Sequence, residues 1–587
     1  MKMKLFVLLC IGVLFSQYAY CQNNNTPLFP LDICSDANYI YVANRGCRSV
    51  DVLDIKDLSV VNSLRFEQIP TGIICHDSIL YVTSFENKGE LFAYSTQSFQ
   101  QLFKVATGHG AASPIINEKE EKIYVLNRYE STIYEHSLRS GKIERRVAVQ
   151  REPTDGVIDR SGKYLFVVNF LPNQRADVDY VAADISVIRL SDFTKVKDIK
   201  LANGSNAVRG IAISSDGKYI FASHNLGRFQ VPTTQLQQGW MNTSAFSVID
   251  VEELEFLGAV PVDDPDHGAA GVWDIQCNDN YIYLTHSGTH ELSVIDYSEL
   301  MNRFLSSSDR FNINYDLTFL YGLRKRIPLY GNGPRNMCAS NGKLYIPTFF
   351  ADTLNILDCG SAELTFKALN PERIESNIDK GERYFNDAKL CFQGWQSCNG
   401  CHPGNGRTDG MNWDLLNDGI GNPKNCKSLL YSHVTPPCMI SGIRESAELA
   451  VVKGFNLIQF ADITPEQARC VDEYLMSLEA VPSPYLVDGQ LSERAKKGEK
   501  IYKELRCDYC HRGQYTTDMK LHVIGQDVEF EKGWDTPTLN EVWRTAPYLF
   551  DGRAATIYDV ISEHKHGIHK KLSEQEKRAL EEYINSL

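Results

Sequence analysis

Residues 397–402 read SCNGCH and residues 506–511 read RCDYCH. Each holds Cys-x-x-Cys-His, at Cys398, Cys401 and His402 and again at Cys507, Cys510 and His511. Two thiols at this spacing can add to the vinyl groups of one porphyrin. The adjoining histidine then lies under the ring as an axial ligand to iron. Zinc would need two further ligands per site, and a redox dithiol would need a βαβ setting that the flanking sequence lacks. The motifs predict two covalently bound c-type haems, with His402 and His511 on the two irons.

The elements that must position these residues repeat as well. In the first copy DKGERYF precedes the motif and VDEYLMSL follows it; in the second, KKGEKIY and LEEYINSL do so. Each copy predicts a helix, the motif, a long loop-rich middle and a closing helix. The first spans 370–479 and the second 491–587, joined by a linker over 480–490.

In front of them, residues 28–365 form a different repeat. Short β-runs open seven units: YIYVAN, ILYVTS, KIYVLN, KYLFVVN, KYIFASH, NYIYLTH and KLYIPT. A second β-run such as SVDVLDI or AFSVIDV follows each, and turns such as SSDGK and SNGK precede several. One such unit cannot bury both faces, so seven units predict a closed seven-bladed β-propeller. The units resemble the YVTN-type propeller family, which speaks for fold and little for function. The polar stretch 223–250 is too polar for blade core, and reads as a decorated loop or as a contact with the C-terminal half or a substrate. The expected fold is multi-domain: an all-β propeller followed by a mainly α tandem of two cytochrome c-like domains.

The formal net charge of −14 disfavours nucleic acid and leaves room for a basic protein partner. Residues 1–21 place Lys2 and Lys4 before an apolar run and read as a signal peptide, with a lipidated Cys21 as the alternative. The expectation is an exported protein, periplasmic or associated with the outer membrane or cell surface. Of 16 cysteines, ten lie outside the signal region and the two motifs. In an oxidising compartment some of these should pair, in a connectivity the sequence does not give.

The stretches CNGCHPGNGRTDG, GNPKNCKSLL and TPTLNEVWRTAPYLFDGRAATIYDVI are similar to the bacterial di-haem cytochrome c peroxidase family, which includes the methylamine-utilisation oxidase. The resemblance covers about 379–587, and the fused propeller matches a propeller-bearing subgroup. It implies a second-haem ligand 17 residues beyond the proline of TAPY, which is His564, with His566 its nearest competitor. It implies calcium between the two haem regions, on Asn425, Thr545 and Pro547. At the first haem the match fails. Ile440 stands where the family places a tryptophan, with Trp395 and Trp413 as out-of-register substitutes. Ungapped counting to the distal Gln and Glu reaches Ala450 and Phe460, which leaves Glu448 and then Gln459 as candidate catalytic groups. His433 could instead cap the first iron.

These readings imply hydrogen peroxide reduction at the first haem. Electrons would come through the second from a small donor protein of cytochrome c or cupredoxin type. One alternative is an oxidase acting on a protein partner held by the propeller. The other is a non-catalytic electron carrier or surface-binding protein with both irons six-coordinate.

Overall fold

The computed structural model describes residues 25–230, 241–415, 423–524 and 531–587. The expected signal peptide, with Cys10 and Cys21, lies outside them, as do residues 231–240 of the polar stretch. Among the described residues no helix is long and apolar enough to cross a membrane.

Seven antiparallel sheets follow one another along the chain, at 30–65, 70–106, 111–148, 153–200, 205–261, 272–328 and 338–368. Each β-run noticed as an opening is the second strand of its blade. Tyr39–Asn44, Ile79–Ser84 and Lys122–Asn127 are buried along almost their whole length, because neighbouring blades cover both faces. The outer strands alternate and stay largely exposed, as in Gln101–Ala106 and Ile143–Ala148. Their polar composition hid them from a search for apolar runs.

The blades are fastened to one another around the central channel. Asp32 accepts the Ile73 N–H at 2.8 Å, and Thr71 Oγ1 donates to the Ala111 carbonyl at 2.6 Å. Ser113 reaches the Thr154 carbonyl, Thr154 reaches Val208, and Thr285 reaches Arg335. Asn336 closes the circle by donating to Asp32 at 2.8 Å. Blade seven supplies all its own strands, so the ring closes by packing. Ile33, Ile40, Val42 and Leu53 bury themselves against Tyr345, Leu354 and Ile356. Asp352 also accepts the N–H groups of Leu28 and Phe29.

The stretch 223–250 is blade, not only decoration. Tyr219–Gly227 and Asn242–Asp250 pair along their nine-residue lengths. Buried polar side chains pair across them, as where His224 Nε2 lies 2.7 Å from Ser247 Oγ, and just past the first strand Arg228 Nε donates to Thr243 Oγ1 at 3.0 Å. The far end of this long hairpin meets the C-terminal half. A Cβ on Gly227 would fall 2.6 Å from Met411 Sδ.

Residues beyond 370 hold short helices separated by long loops and two-stranded ribbons, less helical than the periodicity suggested. Helix α1, Asn377–Asn386, packs on α2, Pro465–Met476; α3, Glu493–Glu504, packs on α4, Glu574–Asn585. Both pairs cross through a glycine. A Cβ on Gly381 would sit 1.9 Å from the Cys470 carbonyl oxygen, and one on Gly498 2.0 Å from that of Ala579. Side chains of Ser376, Thr464, Ser492 and Ser573 cap the four N-termini. The joining segment is tied down rather than loose. His109 of the propeller meets the Pro482 carbonyl at 2.7 Å, and Ser483 donates to the Asn585 carbonyl at 2.6 Å.

Candidate redox site at the two Cys-x-x-Cys-His motifs

Both histidines end a tight turn. The His402 N–H donates to the Cys398 carbonyl at 2.9 Å and the His511 N–H to the Cys507 carbonyl at 3.0 Å. Five residues on, a carbonyl meets each ring: Arg407 O lies 3.2 Å from His402 Nδ1, and Thr516 O lies 3.3 Å from His511 Nδ1. A carbonyl only accepts, so the proton is assigned to Nδ1 and Nε2 keeps its lone pair for a metal. Burial pulls both imidazoles down to about 4, which keeps them neutral.

At the second motif another imidazole faces His511. The His566 ring centroid lies 6.4 Å from that of His511. A metal–imidazole bond of about 2 Å on each side, plus about 1 Å from each nitrogen to its ring centre, gives about 6 Å for two rings sharing one ion. The count from Pro547 to His564 therefore stops two residues short of this ring. His564 lies nearby with Nε2 buried and without a partner.

The first motif is built differently. Gln459 is buried, its Nε2 lies 3.2 Å from Cys398 Sγ, and its Oε1 has no partner. That thiol stands for the thioether sulfur of an attached porphyrin. Glu448, by contrast, is exposed in the first turn of Ala447–Leu457. A hydrogen bond from its own backbone N–H, and the Ser446 hydroxyl, hold its carboxyl below the usual range, so it serves the helix end rather than the motif. His433 is also spoken for. Its Nε2 lies 2.9 Å from Asp472 Oδ1 and its Nδ1 3.3 Å from Ser432 Oγ. Residues 447–463 contain neither histidine nor methionine.

Several residues near the first motif carried no sequence signal. Asn242, from the propeller, approaches Cys401 Sγ at 3.4 Å. Asp409 accepts from Trp413 Nε1 at 2.8 Å and from the Met411 N–H at 2.9 Å, and burial raises its carboxyl to about 7. Trp395 and Trp413 share a cluster with Val181 and Met241 of the propeller, so they form a seam with the blades.

The two halves meet about a pseudo-twofold relation. The Asn425 N–H donates to the Phe550 carbonyl at 2.7 Å, and the Asp535 N–H to the Ile440 carbonyl at 3.0 Å. Trp534 stacks on Phe550 at 4.3 Å, which brings an aromatic pair to the seam where Ile440 lies. Asn425 Nδ2 donates to the Pro547 carbonyl, while its Oδ1 is buried without a partner. Arg151 of the propeller takes the carbonyls of Arg544 and Ala546 but not those of Thr545 and Pro547. At the counterpart position Lys427 Nζ lies 2.7 Å from Asp535 Oδ2.

A buried ion network binds all three parts. Arg407 grips Glu541 at 3.1 and 2.8 Å, Glu541 meets Arg544, and Arg544 reaches Glu152 of the propeller, which also holds Arg128. Burial pushes the Glu152 carboxyl up, but Arg544, Arg128 and Arg151 outweigh it and hold the group at about 2. The Arg407 backbone is the acceptor for His402, so the network ends at the first motif.

The donor sets fit c-type haem: paired cysteines, an imidazole oriented through Nδ1 and, at the second motif, an opposing imidazole at ligand spacing.

No protein-family model matches the chain. The gamma subunit of hydrazine synthase from Kuenenia stuttgartiensis is 26% identical over 269 residues, which cover 35% of this chain and 76% of that subunit. The beta subunit of the same enzyme is 22% identical over 171 residues, covering 28% of this chain and 44% of that subunit. A solved hydrazine synthase chain from this organism superposes with a TM-score of 0.51 at 18% identity, covering 59% of this chain and 98% of that chain, and supports the propeller fold. The chain is thus similar in sequence to two different subunits of one enzyme.

Proposed function

We propose that this chain is a two-haem oxidoreductase in which the second site relays electrons and the first acts on a small molecule. The observation that carries this reading is the unequal pair of sites. His566 faces His511 at ligand spacing, whereas no histidine or methionine follows the first motif in the matching helix and Asp472 holds His433. Haem c bound at each motif would supply one-electron redox chemistry. Cys398, Cys401 and His402 would hold the first, and Cys507, Cys510, His511 and His566 the second.

The chain's own part is to orient and to shield. Hydrogen bonds to Arg407 O and Thr516 O set the two histidine rings. Gln459 keeps an unpaired amide oxygen beside the first attachment sulfur, ready to accept from a bound molecule. The stacked Trp534–Phe550 pair lies in the seam between the sites. The excess of acidic residues favours a small donor protein with a basic face.

Hydrogen peroxide is the substrate that the peroxidase-like motifs bring forward. The similarity to hydrazine synthase subunits favours a second reading, a small nitrogen compound at the same site. Calcium between the halves fits Asn425 Oδ1 with the Thr545 and Pro547 carbonyls, once the Asn425 amide turns over. Export through the leader agrees with covalent haem attachment.

The test is electron paramagnetic resonance of the diferric holoprotein, followed by rapid mixing of peroxide, and separately of nitric oxide, with its mixed-valent form. One low-spin and one high-spin centre, with a fast optical change confined to the high-spin one, is the expected result. Two low-spin centres silent to both reagents would leave an electron carrier.

A further inference from the structure

The propeller mouth that faces the C-terminal half holds two buried cations without a counter-charge. Arg209, Trp273 and Arg335 come from blades five, six and seven, next to the inner strands that line the channel. The guanidinium carbons of Arg209 and Arg335 lie 4.5 and 4.3 Å from the Trp273 ring. Arg335 also lies 3.3 Å from the Phe349 ring centre. The two arginines are only 9% and 7% exposed.

Their neighbours show how this interface treats other cations. Arg45 is held by both oxygens of Glu382, at 2.7 and 2.5 Å. Arg128 and Arg544 share Glu152. Arg151 spends its donors on three carbonyls, those of Pro172, Arg544 and Ala546. Arg209 donates one bond, from Nη1 to the Ala207 carbonyl at 3.1 Å. Among the described residues the Arg335 guanidinium donates none, and its Nε is buried without a partner. The carboxylate that Arg335 feels is Glu382, already committed to Arg45, while Arg209 feels only the like charge of Arg128. Burial pulls both guanidinia well below the ordinary arginine value, to about 9. A guanidinium does not give up its proton to relieve this, and a buried charge is stable only when paired.

We propose that Arg209 and Arg335, with Trp273 between them, bind a small oxyanion or carboxylate at the propeller mouth. Guanidinium donors match the oxygen edges of such groups, and the Trp273, Phe349 and Phe350 rings fix where those donors point. The anion comes either from solution or from a porphyrin propionate of the first haem.

The test is a crystal structure of the holoprotein grown without oxyanions and then soaked in sodium selenate, with anomalous data at the selenium edge. A selenium peak in hydrogen-bond reach of Arg209 and Arg335 supports a site for free anion. A propionate oxygen on the same donors supports the site and names the cofactor as its occupant. Water alone on both guanidinia, or a protein carboxylate moved onto them, overturns the proposal. In solution, sulfate is expected to raise the unfolding temperature above that in chloride of equal ionic strength if the site takes free anion. The gain is expected to vanish in Arg335→Gln and Arg209→Gln. Arg335→Lys, which keeps the charge, covers the case in which the glutamine variants fail to fold. An equal sulfate gain in all variants would also overturn a free-anion site.

Discussion

The two Cys-x-x-Cys-His regions are built on one frame and differ where it matters for chemistry. Gly381 and Gly498 let the flanking helices cross at the same closeness, and the two histidines each donate through Nδ1 to a carbonyl five residues on. The frames part after a capped helix start. Ser446 opens an eleven-residue helix, Ala447–Leu457, whereas Thr556 opens a six-residue one, Ile557–Ser562. The shorter helix releases the chain early enough to turn His566 back over His511. The longer one carries the chain onward and brings Gln459 beside Cys398. Helix length thus decides which site receives a second imidazole and which receives an amide.

The comparison is most directly broken at His566. Replacing it with alanine should abolish the low-spin signal of the second site completely, while His564→Ala should leave that signal in place; the reverse pattern would return the ligand to His564. At the first site, Gln459→Leu should slow the reaction with the small substrate by about 10²-fold, the scale of losing one placed polar group. Stopped-flow mixing would read this, with the second site's spectrum as an internal control.

The network linking the halves to the propeller should matter through stability. Glu541→Gln leaves Arg407 buried without a counter-charge, while Arg544 keeps Glu152, and should cost about 3–5 kcal/mol, read from chemical unfolding of the holoprotein. Glu152 gives that network a pH signature. Its carboxyl is held at about 2 in the folded protein against an ordinary 4.5. Its contribution is therefore full above pH 4.5 and is lost as pH falls from there through about 2. Unfolding midpoints across this window should fall more steeply for the native protein than for Glu152→Gln. The smallest effect concerns the inner strands of blades one and two. Cys34 Sγ and Cys75 Sγ lie 3.2 Å apart and are not linked. Oxidation by a thiol–disulfide exchange partner should join them, lowering the intact mass by about 2 Da and raising stability by about 2–4 kcal/mol.

Much of this was legible in the residues alone. The seven β-runs announced the blades because the middle strands are buried on both faces and are therefore rich in apolar β-formers. The outer strands did not announce themselves, since one solvated face leaves them polar. The polar ends of Tyr219–Gly227 and Asn242–Asp250, beyond the runs KYIFASH and AFSVIDV, were hidden for another reason: Ser, Thr and Asn side chains are buried there, and hydropathy does not register that. Glu448 is exposed, and the sequence could not show this, because a carboxylate in a first helical turn carries the same local signal whether it faces solvent or a cofactor. Counting along the chain reached His564, while the ring beside His511 is that of His566, because sequence spacing does not record which way a turn aims its rings.

By itself the sequence determined the attachment chemistry and the repeats, because covalent ligation needs adjacent residues and blade strands need local patterns. Only the tertiary structure decided which imidazole faces His511, that Asp472 claims His433, and that Asn242, Glu152 and Arg151 of the propeller reach the C-terminal half. Those outcomes depend on contacts between residues up to hundreds of positions apart, whose directions are set by helix length, burial and the pairing of buried charge.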